Sequence, residues 1–145
     1  FMIEQDTVKL LRECDAGIKM GTSSIDDVVG RVKSRRMKNS LEAIRGEHSR
    51  LEDECSRLLR SYGDEGKAPG AVAESMSWIK TNLKLAVDGS DAAIAELMTD
   101  GCNMGVKSLN RYLNQYKAAD ERSKDIAKRL ISLEEKLAHD MQGYL

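Results

Sequence analysis

The sequence predicts an all-α protein: a bundle of four long helices, with a shorter fifth helix crossing between the second and the third. Three observations predict it. From Met37 to Tyr62 the less polar residues fall at Met37, Leu41, Ile44, His48, Leu51, Cys55, Leu58 and Tyr62. These steps alternate four and three, which puts every one of them on a single narrow face of a helix. The same alternation recurs in three further stretches of similar length, so each stripe has partners to bury it. Finally, the chain has 1 Pro in 145 residues, with 41% hydrophobic and 32% charged residues. That composition suits long helices with thin apolar seams better than a sheet protein rich in turns.

The first helix is expected over about 3–32, with Leu11, Cys14, Ile18, Gly21, Ile25, Val28 and Val32 as its seam. Gly21 lies on that seam, where glycine costs about 1 kcal/mol relative to Ala. It either lets a neighbouring helix come close or leaves space for a ligand or water. Lys33–Arg36 makes a short turn, and Ser34 is the expected N-cap of the second helix, over 35–62. A turn this short makes the first two helices an antiparallel hairpin. Gly63–Gly70 holds three glycines and the proline, the clearest break in the chain. A shorter helix over 71–87 carries Val72, Met76, Ile79, Leu83 and Ala86 on one stripe. Ser90 or Asp91 caps the third long helix, over 91–117, whose inner positions read Ile94, Leu97 or Met98, Gly101, Met104 or Gly105, Ser108, Tyr112 and Gln115 or Tyr116. Asp120 caps the last, over 120–143, with Ile126, Leu130, Leu133, Leu137 and Met141 inward. The stretch from Gly63 to Ser90 is long enough to travel the length of the bundle, which would set the third long helix parallel to the second. The whole of 1–145 is expected to form one domain.

The totals narrow the function classes. A net charge of −1 gives no general attraction to nucleic acid or to an anionic membrane. No apolar run approaches the roughly 20 residues of a membrane span, and no secretory leader is evident. Phe1 precedes Met2, so Met2 is the expected native start. An odd number of cysteines, 3, without a CxxC spacing argues against a secreted disulfide framework and for the cytoplasm. No glycine-rich phosphate loop or nucleophile elbow appears. The cations Arg31, Lys33, Arg35, Arg36 and Lys38 gather at the first turn. Arg31 and Lys33 suit the C-terminus of the first helix. Arg35 and Arg36 have no such reason and leave an anion-contacting patch open, although no aromatic residues interleave with them as a nucleic-acid surface would want.

Several stretches carry a family likeness. They are Glu13–Gly21 in the first helix, Glu47-His48 in the second, Trp78 with Lys80 in the crossover, and Asp100–Gly105 followed by Tyr112 in the third. With them the chain resembles the ferritin-like helical bundles of small uncharacterised bacterial families. The resemblance implies two antiparallel hairpins joined by one long crossover. In the metal-binding members, carboxylates from all four helices and Glu-x-x-His pairs on two of them hold two metals. Here Arg45 stands three residues before His48 and Lys136 three before His139, while Cys102 occupies a place where related bundles often carry a carboxylate. The two-metal set is therefore dismantled.

A remnant layer survives. With the expected helix directions, Gly21, His48, Cys102 and Glu135 fall at one level. Histidine, thiolate and carboxylate can together hold a single divalent metal such as zinc. The plainer alternative is a hydrogen-bonded core histidine beside a small buried thiol. Cys14 and Cys55 also share a level and form either a redox thiol pair or inert packing. The sequence thus predicts a non-enzymatic ferritin-like bundle that acts through protein association, with homodimerisation favoured by its thin seams. The alternatives are a metal-binding protein with an altered site around His48, and a thiol sensor using Cys14 and Cys55.

Overall fold

The computed structural model describes residues 2–66 and 89–145. Within them lie four α-helices, α1 (Met2–Val29), α2 (Arg35–Ser61), α3 (Asp91–Gln115) and α4 (Glu121–Met141), and a closing 3-10 turn, Gln142–Tyr144. The described residues are all-α. The helix expected over 71–87 lies outside them.

Helix starts follow the sequence chemistry closely. Ser34 Oγ accepts the Met37 N–H, Ser90 Oγ accepts that of Ala93, and Asp120 Oδ1 accepts that of Ser123. Each satisfies one of the donors that a helix start leaves open. Ser90, not Asp91, is therefore the cap of α3. Asp91 serves the neighbouring turn instead: its two carboxylate oxygens accept the backbone N–H groups of Lys33 and Ser34 at 2.8 and 2.9 Å. The first helix stops at Val29, three residues short of the expected end, because Arg31 and Val32 bond back to Val28 and Val29 in a tighter turn. Val32 still packs into the core.

The two ends of the bundle are tied by side chains. At one end Asp6 Oδ2 accepts the Ala118 N–H at 3.0 Å, Thr7 Oγ1 accepts that of Asp120 at 2.8 Å, and the Tyr62 hydroxyl donates to Asp120 at 3.1 Å. The start of α1, the end of α2 and the α3–α4 turn therefore meet there. At the other end Asp91 brings the start of α3 to the α1–α2 turn. So α3 begins at the opposite end from where α2 finishes. Along the sides α2 packs on both α1 and α4, and α3 on α4; α1 and α3 are the neighbours that pack least closely.

The buried side chains form two groups. One is built on Ile25, Met37, Leu41, Ile94 and Met141, the other on Leu10, Leu11, Ile18, Leu59 and Leu130. Each fully buried Leu or Ile contributes about 1.5–3 kcal/mol, which is how thin seams hold such long helices. On α3 the seam runs through Ile94, Leu97, Met98, Cys102 and Leu109. Met104, one of two residues expected at its inner position, is 45% exposed, and Gly105 takes the inner place.

A polar cluster sits between α1 and α2. Asp15 is buried, and its Oδ2 accepts from Lys19 Nζ at 3.0 Å. Gly66 passes over it with φ of +96°, and any side chain there would run into the Asp15 carboxylate. Glu52 Oε1 accepts from Ser56, but Glu52 Oε2 is buried with no donor facing it. Burial and the Asp15 carboxylate beside it push the Glu52 carboxyl well above the usual range. A proton on Glu52, donated to Asp15, satisfies both groups. This fixes a sign: a carboxyl raised on folding lends stability in acid, and that stability is lost as pH rises through the folded value. Glu52→Gln should therefore match the wild type in acid and exceed it in stability from neutral pH upward, as read by urea unfolding across pH. Equal pH profiles would show that no such proton is held.

Candidate functional site

Between the two apolar groups lies one polar layer, centred on His48 in the middle of α2. The seam spacing turns His48 inward, and it is fully buried. Its Nδ1 lies 2.9 Å from the Ile44 carbonyl, which can only accept, so Nδ1 carries the hydrogen. The ring is thereby fixed with Nε2 aimed across the bundle at Glu134 Oε1 of α4, 3.4 Å away. Nε2 and a carboxylate oxygen face each other comfortably only with a proton between them. Burial pushes the His48 imidazole down, but the Glu134 hydrogen bond, the Ile44 carbonyl and the charges of Glu134 and Glu47 outweigh it. The net shift is upward.

A glycine makes this layer possible. A Cβ at Gly21 of α1 would stand 2.6 Å from His48 Nε2 and 2.8 Å from its Cδ2. The sequence left two readings of Gly21, and both hold in part: it admits the imidazole, and it borders open space. Across from it, a Cβ at Gly105 of α3 would be in ordinary contact with Glu134, 3.4 Å from its Oε2. The Cys102 thiol of α3 completes the layer. Burial, then the Glu134 charge and hydrogen bonding to it, raise this thiol far above the usual range, against an opposing contribution from the Ala138 backbone.

Of the residues expected in this layer, His48, Cys102 and Gly21 are there. Glu135 is not: it lies on the exposed side of α4, and Glu134 takes its place. Leu130 and Leu137 can be joined by steps of three then four through Leu133, or four then three through Glu134. The apolar Leu133 favoured the first, yet Ala127, Leu130, Glu134, Leu137 and Met141 form the buried stripe. The buried Ala127 was the signal that distinguishes them. Among the described residues no three His, Cys, Asp or Glu side chains converge as a metal site requires. His48 and Glu134 offer two donors, and the Cys102 thiol is held protonated beside them.

Cys14 and Cys55 are both fully buried and both free thiols. Burial pushes Cys14 up to about 12, and Cys55, which donates to the Leu11 carbonyl at 3.5 Å, is raised further. Neither is a thiolate near neutral pH, the form that redox exchange needs.

The layer opens on one side. Where α1 and α3 pack least closely, small residues line a cleft: Gly17, Gly21 and Ser24 on α1 face Gly101, Gly105 and Ser108 on α3. Its volume is about 300 Å³, at the lower edge of ligand-sized cavities. Met20, Met98 and Met104 supply adaptable walls, and Glu134 lies in its lining. The lining runs from Glu13 to Ser24 on one helix and from Met98 to Tyr112 on the other, some 16–21 Å at 1.5 Å per residue. The cleft is long for its volume of about 300 Å³.

Compared with known proteins, the chain matches no family model, no curated protein and no solved structure. The ferritin-like likeness therefore remains an inference from its own residues.

Gly21→Ala should destabilise the protein by about 1–3 kcal/mol through overpacking against the imidazole. In a His48→Ala background the same change should cost at least about 1 kcal/mol less, because the atoms that the Cβ meets are gone. Chemical unfolding of the four proteins measures this cycle. Additive costs would mean that His48 is not what requires glycine at this position.

Proposed function

We propose that this protein is a cytoplasmic, non-enzymatic helical bundle of ferritin-like build, two antiparallel hairpins joined by a long crossover, that binds a slender apolar ligand in the α1–α3 cleft. The contacts at the two bundle ends support that build, because they put the start of α3 opposite the end of α2. The cleft is the observation that carries the function. Close helix packing is the ordinary outcome for glycine-bearing faces, yet among the described residues these small residues border open volume. Among the described residues no nucleophile, base and electrophile are assembled around it. Protein association, expected from the thin seams, rests on less, since those seams are buried against one another within a single chain.

A metal-binding role is the second reading, and one observation favours it. The Ile44 carbonyl ties up Nδ1 and leaves Nε2 of His48 aimed at a carboxylate, the way an orienting partner presents a ligating imidazole. Its ligands would be His48 and Glu134, in place of the expected Glu135.

The two readings separate in solution. Excess 1-octanol should raise the thermal midpoint by several degrees, as tight binding to the folded state alone requires. Ser108→Phe, which fills the cleft from α3, should abolish the rise while keeping the helical circular dichroism. An unchanged midpoint in the wild type would sink the cleft reading. About one metal per chain in protein purified without chelator, lost in His48→Ala, would establish the second reading in its place.

A further inference from the structure

The bundle end that carries the α1–α2 turn concentrates charge of one sign. Arg31, Lys33, Arg35, Arg36 and Lys38 put five cations into eight residues, and those eight hold none of the chain's 24 Asp and Glu. The net charge of −1 conceals this imbalance. Exposed charges act over only about 8 Å at physiological salt, so a partner meeting this end senses the cations and not the total. Four of the five are exposed, and Lys38 is partly so. Among the described residues none of the five has an ion pair or a side-chain hydrogen bond. Two acids of the same end are engaged elsewhere: Asp26 pairs with Arg45, and both Asp91 oxygens accept the backbone N–H groups of Lys33 and Ser34.

The fold itself gives no reason for two of these cations. The first turns of α1, α3 and α4 each carry an acid, Glu4, Asp91 and Glu121. That of α2 carries none and begins Arg35-Arg36. Cations there oppose the partial positive charge of a helix start, so both arginines weaken the helix they open. Residues that break a local rule in this way mark a binding surface.

Apolar groups share this end. The chain returns to it through α4, and the closing 3-10 turn sets Tyr144 against the apolar group to which Val32 and Met37 belong. Leu145 is 62% exposed. A half-buried tyrosine and an exposed leucine suit the head-group level of a bilayer, where apolar and wet surroundings meet. The phosphates of a duplex offer a leucine nothing, and a single strand wants aromatic rings among the cations, which 31–38 lacks.

We propose that this end of the bundle docks on an anionic phospholipid surface, with the five cations among the lipid phosphates and with Tyr144 and Leu145 at the head-group boundary. Asp91 braces the turn that displays the cations, which lowers the ordering cost of docking. The helices then stand end-on to the surface. This docking is independent of the reading proposed for the cleft.

Flotation of the full chain with lipid vesicles tests it. Vesicles of equal parts phosphatidylglycerol and phosphatidylcholine should carry the protein, and pure phosphatidylcholine should not. About 1 M salt, which shortens screening to about 3 Å, should release it. Arg35→Gln/Arg36→Gln should lower the partition coefficient about 25-fold, about fivefold for each cation beside an anionic surface. Its thermal midpoint should stay level or rise, because the removed charges opposed the helix dipole. Lys107→Gln/Arg111→Gln removes the same charge from exposed positions on α3 and should leave partitioning unchanged. Leu145→Ser should weaken it. Absence of binding to the anionic vesicles, equal binding to both kinds of vesicle, or equal losses in the two double variants would overturn the docking surface. Tighter binding to a short DNA duplex than to the vesicles, lost in Arg35→Gln/Arg36→Gln, would overturn the lipid assignment in favour of nucleic acid. The vesicle and salt comparisons use the wild type alone, so they decide even if a variant does not fold.

Discussion

A buried imidazole facing a buried carboxylate sets the terms for this bundle. His48 and Glu134 lie at mid-height, and each would be costly alone in an apolar core. Together, with the Ile44 carbonyl holding the far side of the ring, they form a bonded layer between two apolar halves. The layer also pins the register of α2 against α4, because sliding either helix by one residue would strand both groups. The surface pairs Glu54–Arg129 and Glu47–Lys136 follow that register. Exposed pairs of this kind contribute little on their own, so they read as consequences of the alignment.

The same layer accounts for Gly21, which also borders the cleft. An imidazole ring is too large to lie between three helices unless one of them lacks a side chain at that height. Gly21 provides that gap on α1, whereas a Cβ at Gly105 of α3 would rest in ordinary contact with Glu134, 3.4 Å from its Oε2. Gly21 and the other small residues of these two helices line the open volume between α1 and α3. The polar layer and the open volume thus meet at Gly21 and at Glu134, which belongs to both.

Much of this was legible in the residues, and the exceptions have physical reasons. Four helices, their caps at Ser34 and Asp120 and the inward face of α2 follow from spacing and capping chemistry, because strong periodicity leaves α2 one way to bury itself. The α3 seam was harder to read. With four of its positions Gly, Ser or Met between 101 and 108, neighbouring faces differ little in hydrophobicity, and Met104 was drawn inward although it is exposed. Glu134 was missed for a related reason. A pattern that looks for apolar residues cannot select a carboxylate as a core position, and Glu135 beside it carries the same chemistry on the wrong face. The cleft itself has no linear signature, since it depends on how far apart two helices stand.

The carboxylate of Asp91 has one more consequence. It satisfies the N–H groups of Lys33 and Ser34, while Asp6 and Thr7 near the start of the chain satisfy those of Ala118 and Asp120. Each turn is therefore completed by a segment from the other half of the protein. As the chain leaves the ribosome, its first hairpin emerges with a turn whose donors have only water for partners, and with a histidine whose carboxylate has not yet been made. Such a half has little reason to settle early. The two halves are instead expected to become ordered together, after synthesis has passed α4, so that nascent chains remain open to chaperones for most of their translation.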